Sequence, residues 1–480
     1  MTKVRSALVF SILTQHSRQV INLFTIIILA RLLTPTEIGV FAVASSLVFL
    51  AIELRALGVG QYLIREKEID KEKIRSALGL MILVSWGMAL IIAISAPYIA
   101  DFYNEQALTV ILWIIAGTFL FTPFSSLPDA LLTREMKFKP LFIVKISSTI
   151  ILSSSSIILV LLGYSYYGLA MGVMIGGIAH VLLISFYRPK DMPWLPSFSG
   201  LKKLLKFGAL TSTASTLQQF SLSIPDLVLG RVATMADVGL FSRGLGVVVF
   251  LNNILGKAVA PVVLPHLSEI KRAGGDVGEA YLRAVVLLTA ICWPIFAVVN
   301  LCAYSLIRAL FGDQWDVAVP IASALAIWAV LQVTHSFSSY ALIAVGKEKL
   351  MLKKEVIIFI IRFAAVLSAA PYGILMVAWA MVMAGIAELL INSWAIKKSI
   401  GIGYRRLAQD LLPSLIVTVI CWGFLKLLSL FIPFESLNSW ISLIIVGITM
   451  IPVWLLSLRI TKHEAWTVVI QMTNRLIPSK

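Results

Sequence analysis

Charge is scarce in this 480-residue chain: only 13% of the residues are Asp, Glu, Lys or Arg. A soluble domain carries roughly 25%. Hydrophobic residues make up 59% of the chain, more than a packed core can hide, which leaves lipid as the solvent for the rest. Cysteine is rarer still. Cys292, Cys302 and Cys421 all lie in apolar runs, so they read as small buried hydrophobes rather than a disulfide framework or a metal site. Acids are fewer than bases, 24 against 40, for a net charge of +16. In a soluble chain that excess would suggest nucleic acid. Here the Lys and Arg occupy short loops between apolar runs, and neither zinc-finger spacing nor an aromatic RNA-binding motif is present. No nucleic-acid partner is therefore expected.

Other absences narrow the chemistry. The chain has no Walker-type phosphate loop, no DxD run, no HxxxxD signature and no long hydrophilic stretch that could hold a catalytic domain. His266, in HLSE, has no third metal ligand near it and reads as part of a loop, so no metal site is expected. The serines beginning at Ser153 lack a base and an oxyanion partner and read as helix contacts. The first helix carries His16 and Arg18 where a signal peptide needs a clean apolar run, so it reads as retained.

Apolar runs are what the chain has in abundance. A crossing needs about 20 residues of helix, and lipid forbids unpaired backbone. The runs place crossings near 10–30, 38–58, 77–100, 107–127, 141–162, 166–187, 207–229, 238–262, 283–304, 319–344, 354–371, 373–396, 410–431 and 438–458. The fold class expected is an all-α polytopic membrane protein with about fourteen transmembrane helices. An N-terminal six-helix bundle would occupy 1–190 and a second bundle 200–400. Two additional helices would fill 408–460 and a cytoplasmic tail 461–480. Loops on one side hold thirty Lys and Arg, while the other side holds only Arg31, Arg231 and Arg308. That bias places both termini in the cytoplasm.

The chain also repeats itself. RLLTPTEIGVF begins at Arg31 and RVATMADVGLF at Arg231, pairing Thr34 with Thr234, Glu37 with Asp237, Gly39 with Gly239 and Phe41 with Phe241. ADFYNEQ at Ala100 and RALFGDQ at Arg308 follow in the same order. Six helices is an even number, so the two copies enter the membrane from the same side as parallel repeats. Glu37 and Asp237 read first as carboxylates serving a helix start.

Polar residues within the apolar runs mark a candidate site, because an ionisable group in hydrocarbon is costly. Gln15, Arg18, Asn22 and Thr25 follow one another at steps of three, four and three, one stripe of the first helix. Thr211, Ser215 and Gln218 repeat that rhythm in the seventh, and Arg243, Gly246, Asn253 and Lys257 share nearly one face of the eighth. Together these suggest a cationic cavity between the halves, suited to an anion with a bulky uncharged remainder. The substrate-binding candidates are Arg18, Arg243, Gln15, Asn22, Gln218, Asn253, Lys257 and Arg55. Snorkelling toward the interface is the competing reading for Arg18, Lys257 and Arg55. Lys145 and Arg362 sit near helix starts. Asp226, Glu388 and Glu53 are candidates for ion coupling, with a structural salt bridge the simpler role for Asp226 and Glu388.

ILARLLTPTEIGVFAVASSLVFLAIELRALGVGQYLIRE, from Ile28, and LLTREMKFKPL, from Leu131, resemble bacterial polysaccharide-export flippases. The chain is similar to the oligosaccharide flippase, or polysaccharide transporter, family of the multidrug/oligosaccharidyl-lipid/polysaccharide exporter superfamily. The resemblance implies two helical bundles forming an alternating-access carrier in the bacterial inner membrane. It implies movement of undecaprenyl-pyrophosphate-linked oligosaccharide repeat units to the periplasmic leaflet, for surface polysaccharide assembly. Such a carrier is not an enzyme and needs no cofactor; a sodium or proton gradient or the membrane potential would drive it. Its partners would be the lipid-linked oligosaccharide, membrane lipids, and the sugar polymerase and glycosyltransferases of the same pathway. The alternatives are an exporter of another amphiphile or drug, a membrane enzyme of polysaccharide assembly, and a scaffold that does not transport.

Overall fold

A computed structural model describes residues 2–476 apart from 57–58, 67–68, 190–191, 194 and 200. The side chains of 2–8, 54, 56, 61, 65, 201–215, 256–261 and 472–476 also lie outside the described residues, which removes Thr211, Ser215 and Lys257 from structural test. The helices are α1 (Thr2–Leu32), α2 (Pro35–Ala56), α3 (Val59–Arg65), α4 (Lys71–Tyr103), α5 (Ala107–Arg134), α6 (Phe138–Leu159), α7 (Ser165–Tyr187) and α8 (Leu201–Val232). Then come α9 (Met235–Arg272), α10 (Val277–Phe311), α11 (Ala318–Val333), α12 (Ser338–Ala344), α13 (Glu348–Ala369), α14 (Ile374–Ile400), α15 (Tyr404–Phe431), α16 (Ser439–Ile460) and α17 (Glu464–Leu476). No strand occurs among the described residues.

Ten spans among the described residues are long and apolar enough to cross a membrane, and one of them, 138–187, holds both α6 and α7. The sequence reading expected fourteen crossings. Helices α1, α8 and α13 stand at expected positions but are not among those spans. Their polar and basic residues, such as Gln15 and Arg18 in α1 and Lys353, Lys354 and Arg362 in α13, lower the hydropathy. His266 lies inside a helix rather than in the loop expected for it. Helix α9 runs on to Arg272 because Val263 and Leu267, four residues apart, are both buried. Residues 464–476, expected only as a tail, form a helix of their own.

Contacts divide the chain into two compact units, Met1–Gly239 and Leu240–Lys480. In the first, α3, α4 and α5 enclose a core of Leu63, Leu78, Leu80 and Leu127, which Met192 joins from the segment after α7. That segment is clasped to α4: the Ser197 amide donates to the Arg75 carbonyl at 2.9 Å, and Arg75 Nε donates to the Leu195 carbonyl at 3.1 Å. In the second unit α10 is the spine. Its Trp293 Nε1 donates to the Val330 carbonyl at 3.0 Å, and it accepts from Trp454 Nε1 of α16 at its Ala290 carbonyl, 2.8 Å away.

The repeated sequence has a local physical role. Thr34 and Glu37 form a reciprocal cap at the start of α2: the Thr34 amide donates to Glu37 Oε2 at 2.7 Å, and the Glu37 amide donates to Thr34 Oγ1 at 3.3 Å. Thr234 and Asp237 do the same for α9, at 3.1 and 3.2 Å. Each helix start also presents a glycine to the other. A Cβ on Gly39 would stand 1.7 Å from the Met235 carbonyl oxygen, and one on Gly239 would stand 1.9 Å from that of Pro35. These first turns, all within Met1–Gly239, therefore touch backbone to backbone, which only glycine permits.

Candidate functional site

The stripe on α1 changes character along its length. Thr25 is buried, donating to the Ile21 carbonyl at 2.8 Å and standing 2.7 Å from Ser153 Oγ of α6. Gln15 is half-buried, while Arg18 and Asn22 are exposed. Packing thus holds the stripe at Thr25 and leaves its cationic middle open. Ser153 is one of the serines read as helix contacts, and it serves as one here.

Arg55 ends α2 but does not extend away from it. Its guanidinium lies over the ring of Phe119, 5.7 Å from the centroid. Phe119 is fully buried near the middle of α5. The Arg55 Nε is buried with no hydrogen-bond partner among the described residues, and no acid there lies within ion-pair distance of it. A guanidinium held by an aromatic face keeps its N–H fork for another anion. Phe119 escaped the sequence reading, because nothing in a run of apolar residues says which ring will meet a cation 64 positions away.

On α8, Gln218 is exposed and Asp226 is half-buried, with Asp226 Oδ2 accepting from Ser46 Oγ of α2 at 2.9 Å. Glu53 is half-buried on α2. In the second unit, Arg243 stands against two aromatics of one turn, 5.9 Å from the Phe311 centroid and 5.7 Å from that of Trp315. Asn253 is half-buried on the same helix and Gly246 is exposed.

Glu388 lies in a different kind of environment. Arg362 of α13 grips it with two hydrogen bonds, Nε to Oε1 at 2.9 Å and Nη2 to Oε2 at 2.7 Å. Gln332 Nε2 also donates to Oε2, and Trp328 backs the guanidinium at 5.3 Å. Both charged side chains are almost wholly buried. Earlier on α13, Lys354 donates to Glu355 Oε1 at 2.6 Å and to Ser339 at 3.1 Å. His335 is held between Tyr281 at 2.9 Å and Ser393 at 2.8 Å. Such filled networks fix one packing arrangement. Arg362 and Glu388 were singled out separately on two helices; their pairing is a three-dimensional fact. No group of three or more His, Cys, Asp or Glu suited to a metal occurs among the described residues.

Residues 28–320 match a family described as polysaccharide biosynthesis protein. The teichuronic acid biosynthesis protein TuaB of Bacillus subtilis (strain 168) is 22% identical over 416 residues, 83% of each chain. The lipopolysaccharide biosynthesis protein WzxC of Escherichia coli (strain K12) is 19% identical over 413 residues, again 83% of each chain. The succinoglycan biosynthesis transport protein ExoT of Rhizobium meliloti (strain 1021) is 22% identical over 321 residues, 66% of this chain and 64% of that one. Among solved structures, the lipid II flippase MurJ in an inward closed conformation superposes with a TM-score of 0.75 at 16% identity, over 96% of this chain and 100% of that one.

Proposed function

This chain belongs to the polysaccharide biosynthesis protein family, and from that premise we propose that it is a flippase for undecaprenyl-pyrophosphate-linked oligosaccharide units. It moves them from the cytoplasmic to the periplasmic leaflet of the bacterial inner membrane for surface polysaccharide assembly, with both termini in the cytoplasm. The relatives are named for polysaccharide biosynthesis and transport, and the fold is that of a lipid flippase. The observation that carries the reading is Arg55, half-buried with its guanidinium over Phe119 and its buried Nε without a hydrogen-bond partner among the described residues.

The chemistry asked of the protein is shielding rather than bond-making, so it is a carrier and not an enzyme. Arg18 and Arg55 supply guanidinium forks for the pyrophosphate, and Gln15 and Asn22 supply amides for sugar hydroxyls. Gln218 adds a further amide in the first unit; Arg243, Asn253 and Lys257 are candidates of the same kind in the second. The polyprenyl tail stays in lipid while the head is exposed to one leaflet and then the other. The membrane potential favours an anionic head leaving a negative cytoplasm, by about 2.3 kcal/mol per charge at 100 mV. A sodium or proton gradient is a further source of drive. The pathway's sugar polymerase and glycosyltransferases are its partners. An exporter of cationic drugs would need a free acid in its lining, and both carboxylate oxygens of Glu388 are taken by Arg362.

Equilibrium binding of undecaprenyl pyrophosphate carrying one sugar tests the site. R55A and R18A weaken binding by about tenfold or more each, as expected for lost charge-assisted hydrogen bonds of about 1.5–3 kcal/mol. R55K recovers only part, because an ammonium cannot form the bidentate fork. Unchanged binding in both alanine variants would remove the site.

A further inference from the structure

A second set of titratable groups lies in the first unit, outside the candidates above. Asp129 of α5 faces His180 of α7, with Oδ2 3.2 Å from Nε2. Across the same ring, Nδ1 lies 3.3 Å from Ser148 Oγ of α6. Three helices therefore meet at one imidazole. Ser148 Oγ also lies 3.2 Å from the Lys145 carbonyl, which already accepts from Thr149 Oγ1 at 2.7 Å, so its one hydrogen serves either that carbonyl or the ring. With the hydrogen on the carbonyl, Ser148 Oγ accepts from Nδ1–H and Nε2 is left without a proton beside Asp129. In that arrangement two acceptors stand 3.2 Å apart, a pair that one added proton relieves.

Other features agree with an unfilled position. Nε2 of His180 and Oδ1 of Asp129 are buried atoms with no aligned hydrogen-bond partner among the described residues. The second unit does not build its ion pairs this way, since both oxygens of Glu388 are occupied. A finished structural pair would be satisfied likewise, because an unmet polar atom in low dielectric is costly. The side chains of His180 and Asp129 retain 20% and 25% exposure, so a proton has a way in.

We propose that Asp129 and His180 form a proton-binding site that fills and empties during transport; this rests on the flippase reading above. With a proton on Nε2 the pair is an imidazolium and a carboxylate, neutral overall and attracted across 3.2 Å. Without the proton it carries one negative charge. The difference has a mechanical route to the substrate. Helices α6 and α7 are in close contact, since a Cβ on Gly172 would stand 1.9 Å from Ser156 Oγ. Helix α6 is tied in turn to α1, the helix of Arg18, through Ser153 and Thr25.

The charged groups on the surrounding helices include Lys139 and Lys145 on α6, Arg134 on α5, Glu37, Glu53 and Arg55 on α2, Lys71, Glu72, Lys73, Arg75 and Asp101 on α4, and His16 and Arg18 on α1. Arg134 donates to the Leu63 carbonyl at 2.7 Å. Lys73 pairs with Glu66 at 3.0 Å, and Asp129 is the acid within ion-pair distance of His180 among the described residues.

The test uses full-length protein in vesicles, with undecaprenyl pyrophosphate carrying one sugar as the probe and the voltage clamped. A tenfold proton gradient changes the final transbilayer ratio of the probe by about tenfold in the wild type, the effect of one coupled proton. In D129N and H180Q the ratio no longer responds to the gradient. A wild type that moves the probe under voltage yet ignores the proton gradient, or variants that respond as the wild type does, would overturn the inference and leave the flippase reading standing. A wild type that moves no probe under either drive would bring down both. Should the variants fail to fold, proton exchange by the wild type on probe binding decides. About one proton per chain is expected, and none would refute the site.

Discussion

At the scale of single residues, two positions carry sharp tests. Gly39 meets the Met235 carbonyl where a methyl group would lie 1.7 Å from oxygen. G39A must push the two helix starts apart and should cost about 1–3 kcal/mol or more, as overpacking does. A thermal melt of the purified variant checks this, and an unchanged melting temperature would contradict the backbone contact. His463 is the other position. Its Nδ1 accepts from the Ala465 amide at 3.0 Å, so Nε2–H donates to Ser414 Oγ at 2.9 Å. Burial lowers its pKa from the usual 6.5, with Glu464 opposing in part. The folded protein therefore binds this proton less readily than the unfolded chain, and stability rises with pH through the window below 6.5. It is fully present above that value and is lost as the imidazole is forced to charge. H463Q should flatten the loss of melting temperature on acidification from neutral pH, and an unchanged slope would show that His463 does not cause it.

At the scale of elements, the repeat was legible in the sequence and part of the site was not. A threonine, an acid three residues on and a glycine two further form a local pattern, and each does a local job: cap, reciprocal cap, close approach. Local chemistry survives translation from sequence to structure. Arg55 shows the limit. Its place near the end of α2 was evident, but its direction depends on Phe119 of another helix. Asp129 and His180 stayed unnoticed for the same reason, since 51 positions separate them and neither stands out alone. His266 was misplaced in a loop because the reading stopped the helix where the bilayer would end, whereas buried Val263 and Leu267 carry α9 onward. The Arg362–Glu388 pair between α13 and α14 is tested at this scale. E388A leaves a buried guanidinium unpaired and should cost about 3–5 kcal/mol. Replacing both residues together, as in R362M with E388L, should restore most of that. A double variant as unstable as the single one would mean that the network acts through more than this pair.

At the scale of the whole molecule, composition alone indicated a membrane protein built of helices, and the helices, the family match and the flippase fold agree with that. The polar stripe on α1 was read from period and chemistry together; of its members Thr25 is buried, Gln15 half-buried, and Arg18 and Asn22 exposed. Direction of transport and identity of the sugar leave no mark on hydropathy. The central claim is that this helical membrane protein moves an anionic lipid-linked saccharide across the bilayer without altering it. The most direct measurement reconstitutes the purified protein in sealed vesicles with undecaprenyl pyrophosphate carrying one labelled sugar. It then follows the label's access to an external sugar-modifying enzyme. The account predicts that label protected in the inner leaflet becomes accessible, with its covalent structure intact and at a rate that falls in R55A. Label that remains protected at the rate of protein-free vesicles, or that emerges with new glycosidic bonds, would contradict it.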